Sequence, residues 1–253
     1  MFTAGILFAI LFQCTQATSE YTGVESLATP FFPLEHMTAL LPSNSTSMAI
    51  TDPTYLKFTT YISRTAACAG ESMMGASITG LCQVINSTTS QKITCGSTSA
   101  CTIDMFENGA CTGVAKLAID FTTDGSCQKI VPPPFPGRNA PIYMKTTQVV
   151  GETAATDGLA KPYVGGWNDE TCSGAAVTYS SLAGCHMGPP NSGILKSFET
   201  TCSASGTVES CYWGNSTTCA PISDGTCNPL PEKYMKCFAI PGSSVLKATS
   251  YFC

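Results

Sequence analysis

The chain has 253 residues, of which only 11% are charged, and its formal net charge is −5. Typical soluble domains carry about 25% charged residues, so this chain is unusually neutral. It offers no basic patch for nucleic acid or for an anionic membrane, and both kinds of partner are excluded. The length allows one large domain or two of about 100 residues.

The chain contains fifteen cysteines, a density typical of proteins that fold in an oxidising compartment. Metal sites usually take their ligands from cysteine pairs with two residues between their members. The closest pair here, Cys95 and Cys101, has five residues between its members. We therefore predict disulfides, with no metal and no other cofactor.

Residues 1–17 start with a nearly uninterrupted apolar run and end at Thr15-Gln16-Ala17. This pattern predicts a secretory signal peptide that is cleaved after Ala17, since the run is too short for a membrane span of about 20 residues. Cleavage would remove Cys14 and leave an even number of cysteines that can pair completely. If the segment is kept, Cys14 is a candidate for a bond between chains.

Residues 18–54 contain no cysteine and form a predicted N-terminal arm. Pro30, Pro33 and Pro42 exclude a long helix and favour an extended chain. The arm either packs on its own domain or adds to a neighbouring molecule. The apolar side chains expected to make its contacts are Leu27, Phe31, Phe32, Leu34, Leu40 and Leu41.

Residues 55–150 are predicted to form the first cysteine-rich β domain. The sequence YLKFTTYIS from Tyr55 and the sequence KLAIDFTT over residues 116–123 alternate in polarity and are rich in β-forming residues, which is typical of strands. Turn signals recur at short intervals, and Asp124-Gly125 predicts a tight hairpin. No stretch has a sustained helical period.

A stretch rich in Pro, and then in Gly, Ala and Thr, separates the two halves of the chain. We place a linker at residues 151–166, after a last strand that contains Tyr143-Met144-Lys145. The second cysteine-rich β domain then covers residues 167–253. Short strands with regular turn signals favour sandwich-like folds. The predicted class is all-β, with two tandem disulfide-stapled β-sandwich-like domains and an extended N-terminal arm.

The stretch from Cys68 to Cys127 has a second version from Cys172 to Cys227, which predicts a duplicated unit. The sequences TDGSC and SDGTC end the two versions. An alternative register matches the spacing of 227–237–253 to that of 101–111–127. The cysteines predicted to form disulfides are Cys68, Cys82, Cys95, Cys101, Cys111, Cys127, Cys172, Cys185, Cys202, Cys211, Cys219, Cys227, Cys237 and Cys253.

In the first alignment, the stretch Cys68–Cys127 is matched to the stretch Cys172–Cys227. Cys237 and Cys253 have no counterpart in it, and we expect them to bond each other. The other pairings stay open, because six cysteines alone allow many connectivities.

Candidate catalytic groups are few. The only histidines, His36 and His186, lie in unrelated segments, and a histidine-based nucleophile needs a third group that orients the ring. With oxidised cysteines no thiolate remains. Asn168-Asp169-Glu170 lacks the spaced acids of a calcium site and is predicted to be a turn. We expect no catalytic or metal site, although a pair of carboxylates in a cleft stays open as an enzymatic alternative.

Tyr212 and Trp213 form the one stretch with a binding character, because an exposed indole can stack on a sugar ring. The opposite interpretation is that Trp213 packs against a disulfide in the core, as sandwich tryptophans often do. Three N-S-T sequons predict glycosylation. Their asparagines are Asn44, Asn86 and Asn215.

An aromatic residue, then C-x-G, then G-x-C or G-C occurs in both halves. The residues are Tyr61, Cys68, Gly70, Gly80 and Cys82 in the first half, and Trp167, Cys172, Gly174, Gly184 and Cys185 in the second. Over residues 55–253 this pattern resembles the tandem cysteine-rich repeats of extracellular proteins in protists and algae. The resemblance implies a surface or extracellular structural role.

These features predict a secreted, non-enzymatic structural glycoprotein, a subunit of an extracellular filament or cell-surface coat that assembles through the N-terminal arm. The expected partners are copies of itself or other coat proteins, with covalently attached glycans and no membrane span. The alternative is a secreted carbohydrate-binding, lectin-like protein that uses Tyr212 and Trp213.

Overall fold

A computed structural model describes most of the chain after residue 51. The described residues are 52–61, 67–69, 72–86, 88–96, 99–130, 142–187, 197–221, 224–240 and 246–253. The predictions for the signal peptide at 1–17, for Cys14, for His36, for Asn44 and for the arm side chains lie outside these residues.

The described residues form sixteen β-strands and one short α-helix, and the all-β prediction is confirmed. The first eight strands are β1 (Thr54–Tyr61), β2 (Ser72–Ile78), β3 (Cys82–Asn86), β4 (Thr89–Cys95), β5 (Ala100–Phe106), β6 (Leu117–Thr122), β7 (Asp124–Ile130) and β8 (Ile142–Val150). The helix α1 (Glu152–Thr156) follows. The remaining strands are β9 (Tyr163–Trp167), β10 (Thr178–Ser181), β11 (Cys185–Met187), β12 (Ser197–Cys202), β13 (Val208–Trp213), β14 (Thr226–Pro229), β15 (Phe238–Ala239) and β16 (Ala248–Phe252).

Both halves of the chain build the same arrangement of eight strands. The outer strands of each half join one antiparallel sheet in the order β15-β16-β9-β10-β2-β1-β8-β7. The inner strands form two separate four-stranded sheets, β3-β4-β5-β6 and β11-β12-β13-β14. From the centre of the large sheet outward, the order is β2-β1-β8-β7 in the first half and β10-β9-β16-β15 in the second, so equivalent strands have equivalent places. The duplication seen in the cysteines is therefore present in the fold, and the halves are called the first and the second repeat below.

The repeats meet where β2 pairs with β10. Ala76 lies opposite Tyr179 and Gly75 opposite Ser180 in an antiparallel register. A glycine is needed at position 75, because a Cβ there would lie 2.7 Å from the Phe58 ring and 2.8 Å from the Tyr179 carbonyl oxygen. Main-chain hydrogen bonds therefore connect the two repeats in one continuous sheet.

Residues 151–166, which were predicted to be a linker, are folded against this sheet. They begin with α1, and their last four residues belong to β9. Ala155 and Leu159 are buried in a core that also contains Tyr55 and Ile78 of the first repeat. The small residues that suggested a linker instead allow a short helix to approach the sheet closely.

Alternation along β1 directs side chains to two cores on opposite faces of the eight-stranded sheet. Tyr55 contributes to the core beneath α1, together with Trp167 and Tyr179. Leu56 and Phe58 contribute to the core between this sheet and the sheet of β3 to β6. A smaller core packs the sheet of β11 to β14 in the corresponding place.

All fourteen cysteines in the described residues are paired, and the disulfide prediction is confirmed for them. The bonds are Cys68–Cys127, Cys82–Cys111, Cys95–Cys101, Cys172–Cys237, Cys185–Cys219, Cys202–Cys253 and Cys211–Cys227.

Two disulfides have the same place in both repeats. Cys68–Cys127 corresponds to Cys172–Cys237, and Cys82–Cys111 corresponds to Cys185–Cys219. The backbone supports this equivalence, since φ is 47° at Cys68 and 51° at Cys172, and 51° at Cys111 and 53° at Cys219. Residues other than glycine rarely adopt this left-handed conformation. Its recurrence at these four cysteines shows that the backbone around equivalent cysteines has the same local conformation in the two repeats.

The expected bond between Cys237 and Cys253 is wrong. Cys237 bonds Cys172, and Cys253 bonds Cys202 at the end of β12. The reason is the fold: residue 237 directly precedes β15, the counterpart of β7, whereas the last residue follows β16 and lies near the second four-stranded sheet.

The two Asp-Gly sequences that suggested the first alignment have different structures. Gly125 has a φ of 77° and lies in a bulge of β7 between Asp124 and Cys127. Gly225 lies outside the left-handed region and packs against Trp213. The predicted hairpin at Asp124-Gly125 is also wrong, because the chain passes there from the sheet of β6 to the sheet of β7 and β8.

Candidate functional site

Within the described residues, no three histidine, cysteine, aspartate or glutamate side chains come together as a metal site requires. His186 lies on β11, where its ring centroid is 5.2 Å from that of Phe198. Its Nε2 lies 3.4 Å from the Leu182 carbonyl oxygen. An aromatic ring and a main-chain carbonyl are structural neighbours, and they supply neither a nucleophile nor an acid.

Asp169 closes a turn, as predicted for Asn168-Asp169-Glu170. Its carboxylate accepts hydrogen bonds from the backbone N–H groups of Thr171, at 2.9 Å, and of Ser173, at 3.0 Å. Desolvation raises the pKa of Asp169, but these hydrogen bonds outweigh it, and the pKa lies below its ordinary value. The charged carboxylate is therefore used to hold the loop before Cys172.

Trp213 does not present its ring to solvent, as the alternative of stacking on a sugar ring would require. Its side chain is only 2% exposed and packs with Cys211 and Cys219. The indole N–H donates a hydrogen bond to the Pro221 carbonyl at 2.9 Å. The interpretation that the ring packs against disulfides is correct. Tyr212, the preceding residue on β13, is half-buried.

Asn215 is the one sequon asparagine whose side chain the structure describes. It is exposed in the turn that follows β13, as attachment of a glycan requires. Asn86 is the last residue of β3, and its side chain lies outside the described set. Glycosylation at the three sequons stays a prediction.

A partly buried polar cluster that the sequence did not predict connects α1 to both repeats. The Glu152 carboxylate accepts hydrogen bonds from the Tyr179 hydroxyl and, at 2.9 Å, from the Ala176 N–H. The Tyr55 hydroxyl donates to the Ala176 carbonyl at 2.7 Å. The one sign of this cluster in the sequence is a charged residue at the start of a segment rich in Gly, Ala and Thr.

The environment of this cluster keeps both tyrosines protonated. Burial first, and the nearby Glu152 charge second, raise the pKa of Tyr55. Burial and the hydrogen bond to Glu152 raise the pKa of Tyr179. Groups that hold their protons this tightly do not serve as bases near neutral pH, so the cluster stabilises the contact between the repeats.

Edge strands of a sheet can pair with another chain, and proteins usually protect them. Among the described strands, β15 has two residues and β11 has three. β14 includes Pro229, which has no N–H to donate. β3 and β7 each contain an irregular register, between Val84 and Asn86 and between Asp124 and Cys127. Five of the six edges are therefore poor templates for an added strand.

The sixth edge, β6, has none of these three features, and the exposed Asp120 is its one charged residue. Its six residues pair with β5 in a regular register and include no Pro or Gly. The Thr123 N–H, directly after the strand, donates to the Ser99 carbonyl at 2.6 Å. Since backbone groups alternate in direction along a strand, Ala118 and Asp120 direct their N–H and C=O groups away from β5. No described strand pairs with them there.

Gln128 illustrates what such an edge binds. Its side-chain amide donates to the Thr122 carbonyl at 2.6 Å and accepts from the Thr122 N–H at 2.8 Å. The amide thus takes the place that a peptide group of a neighbouring strand would take. At Ala118 and Asp120, four and two residues earlier, the described part of the chain supplies no such group.

Apolar side chains beside this edge are incompletely covered. Leu117 and Ile119 are only partly buried at the border of a core whose centre contains the buried Ile103. Val114, in the loop before β6, is 94% exposed and is the most exposed large hydrophobic residue in the described ranges. Together, Val114, Leu117, Ile119 and the outward backbone groups of β6 are called the β6 edge below. This surface is our candidate functional site.

Comparison of the chain with known protein families, with curated proteins and with solved structures found no match. In the residues that the structure describes, no helix is both long and apolar enough to cross a membrane. Seven disulfides indicate an oxidising, non-cytoplasmic compartment. The observations define a disulfide-rich all-β protein with two related repeats.

Proposed function

We propose that this protein is a secreted, non-enzymatic structural glycoprotein that assembles with copies of itself, through its N-terminal arm, into an extracellular filament or coat. The observation that supports this most is the unprotected β6 edge in a chain that also carries a cysteine-free, apolar segment before β1. A sheet edge and an extended segment are the two parts that strand addition requires.

The two repeats have the stability that a structural protein outside the cell requires. Disulfides stabilise a fold by about 2–4 kcal/mol each, chiefly by constraining the unfolded chain. The seven bonds join residues within each repeat, and the continuous eight-stranded sheet joins the repeats. Stability of this kind depends little on charge pairs, and it therefore persists when the salt concentration outside the cell changes.

Deletion of residues 18–51 tests the role of the arm. The deletion has to stop before Asp52, because the Pro53 carbonyl accepts a hydrogen bond from the Gly151 N–H at 2.8 Å and Thr54 begins β1. All seven disulfides remain in the shortened chain. We expect the full chain to sediment as polymers and the shortened chain as a monomer with no free thiols. A shortened chain that still polymerises contradicts the proposal.

The carbohydrate-binding alternative loses its principal residue, because Trp213 is buried. No feature of the described residues favours it over self-assembly.

A further inference from the structure

We infer that residues 34–41 of a second copy bind the β6 edge as an added strand. This inference rests on the proposed function and specifies it, since it names the acceptor, the donor and the direction of growth.

The acceptor is suited to a short added strand, because Gln128 already pairs with Thr122 at the end of β6 and leaves the outward groups of Ala118 and Asp120 open. β6 spans about 20 Å at 3.3–3.4 Å per residue. The N–H and C=O groups of Ala118 and Asp120 are directed outward, and Leu117 and Ile119 lie half-covered on the core side of the same strand. A strand that pairs here would satisfy the backbone groups and cover the two side chains together.

The donor is identified by its sequence. Residues 34–41, LEHMTALL, lie between Pro33 and Pro42 and contain no proline, so every residue keeps the N–H that a strand needs. Eight residues reach about 26 Å when extended, enough to cover β6. Side chains alternate along a strand, so Met37, Ala39 and Leu41 project to the same side as Glu35 at the start of the segment. These three side chains match the apolar border formed by Leu117 and Ile119.

The next proline-free stretch of the arm fits less well. Residues 43–52 begin SNSTS, and this sequence contains the predicted glycosylation site Asn44. A glycan is bulky and hydrophilic, and it would keep that part of the arm out of a sheet and away from an apolar border.

A second copy is the occupant under the proposed function, in which the arm joins neighbouring copies, and the two repeats differ at this edge. The counterpart of β6 in the second repeat is β14, where Pro229 removes a donor. Among the described strands, each chain therefore has one open edge, and it carries one arm. Contacts between two unlike surfaces are heterologous, and they generate open filaments when the rotation between neighbours does not close a ring. The expected polymer is linear and unbranched, with the arm of each copy on the β6 edge of the next.

Two substitutions in the full chain remove the acceptor. Val114→Asp places a charge in the exposed loop directly before β6, where one end of the donor would lie, and Ala118→Pro removes an outward N–H without removing a hydrogen bond to β5. The matched controls are Val150→Asp, at a second exposed valine with 61% exposure, and Ala118→Ser, which keeps the N–H. We expect polymer to be lost in the first two variants and kept in both controls, as measured by sedimentation velocity.

The free-thiol count and the near-UV circular dichroism report folding of each variant. If Ala118→Pro does not fold, Val114→Asp decides the outcome, because a residue that is 94% exposed can be replaced without disturbing the core.

Mixing two defective chains tests whether the donor comes from another copy. A Met37→Asp chain keeps its acceptor and a Val114→Asp chain keeps its donor. We expect each alone to be monomeric, and an equimolar mixture to form a 1:1 dimer that does not grow. A mixture that stays monomeric overturns the inference, as it would if each arm bound its own chain.

The outcomes separate this inference from the proposed function. If the wild-type chain polymerises and both acceptor variants polymerise as well, the β6 edge is not the acceptor, although self-assembly stands. If the wild-type chain stays monomeric, both proposals are wrong.

Discussion

At the scale of the residue, the contact between Trp213 and Gly225 shows how closely the second repeat is packed. The indole ring lies among cysteine side chains, and a Cβ built on Gly225 would approach it to 2.6 Å. Glycine is required at this position for space and not for a left-handed backbone. The Asp224-Gly225 sequence looks like a turn motif. In the structure, its glycine is instead required for close packing against Trp213.

Gly225→Ala should destabilise the protein by about 1–3 kcal/mol, the usual cost of overpacking a core. The loss is measured as a lower urea midpoint, followed by tryptophan fluorescence. Gly96→Ala is the control, because the nearest atom to a Cβ there is 3.9 Å away. Equal midpoints for the two variants would show that the indole is not enclosed.

Tyr55→Phe removes the hydrogen bond to Ala176 and should cost about 1 kcal/mol at neutral pH. The folded pKa of Tyr55 is raised by burial, so its contribution is fully present below the unfolded pKa of about 10 and is lost as the pH rises above it. We expect the free energy of unfolding to fall above pH 10 in the wild type and to fall less steeply in the variant. Parallel pH profiles would contradict the burial of this hydroxyl.

At the scale of the element, alternation along the chain was enough to predict β1 and β6, because each strand has one face on a core. The disulfide partners could not be predicted in this way. The D-G-x-C sequences aligned Cys127 with Cys227, whereas the fold aligns it with Cys237. Loops of different length separate equivalent strands, so spacing alone does not fix the correspondence.

The disulfides should contribute unequally. The loop closed by Cys172–Cys237 spans 65 residues and that closed by Cys95–Cys101 spans 6. The chain-entropy model gives about 4 kcal/mol for the first and about 2 kcal/mol for the second. Replacing each pair by serine and measuring the free energy of unfolding in guanidinium checks this. A larger loss from the short loop would mean that native packing, and not loop closure, sets the contribution.

At the scale of the whole molecule, the junction between the repeats is the feature that sequence reasoning missed. β2 pairs with β10 through Gly75 and Ala76, two small residues that lie about 100 positions before their partners in the chain. No local sequence pattern predicts such a pairing. The β6 edge could not be predicted either, because its exposure depends on where the other strands lie in the fold.

The shared sheet predicts that the two repeats unfold together. Differential scanning calorimetry of the shortened chain should give one transition, with calorimetric and van't Hoff enthalpies that agree. Gly75→Ala, which introduces a Cβ 2.7 Å from the Phe58 ring, should weaken the junction and lower the transition temperature. Two separate transitions in the unsubstituted protein would mean that the repeats are energetically independent.

The central claim is that copies of this chain assemble through the arm. Negative-stain electron microscopy of the full, oxidised chain tests it most directly, with the chain lacking residues 18–51 imaged beside it. The account predicts unbranched fibres for the full chain and separate single particles for the shortened one. Uniform single particles in both preparations would contradict it.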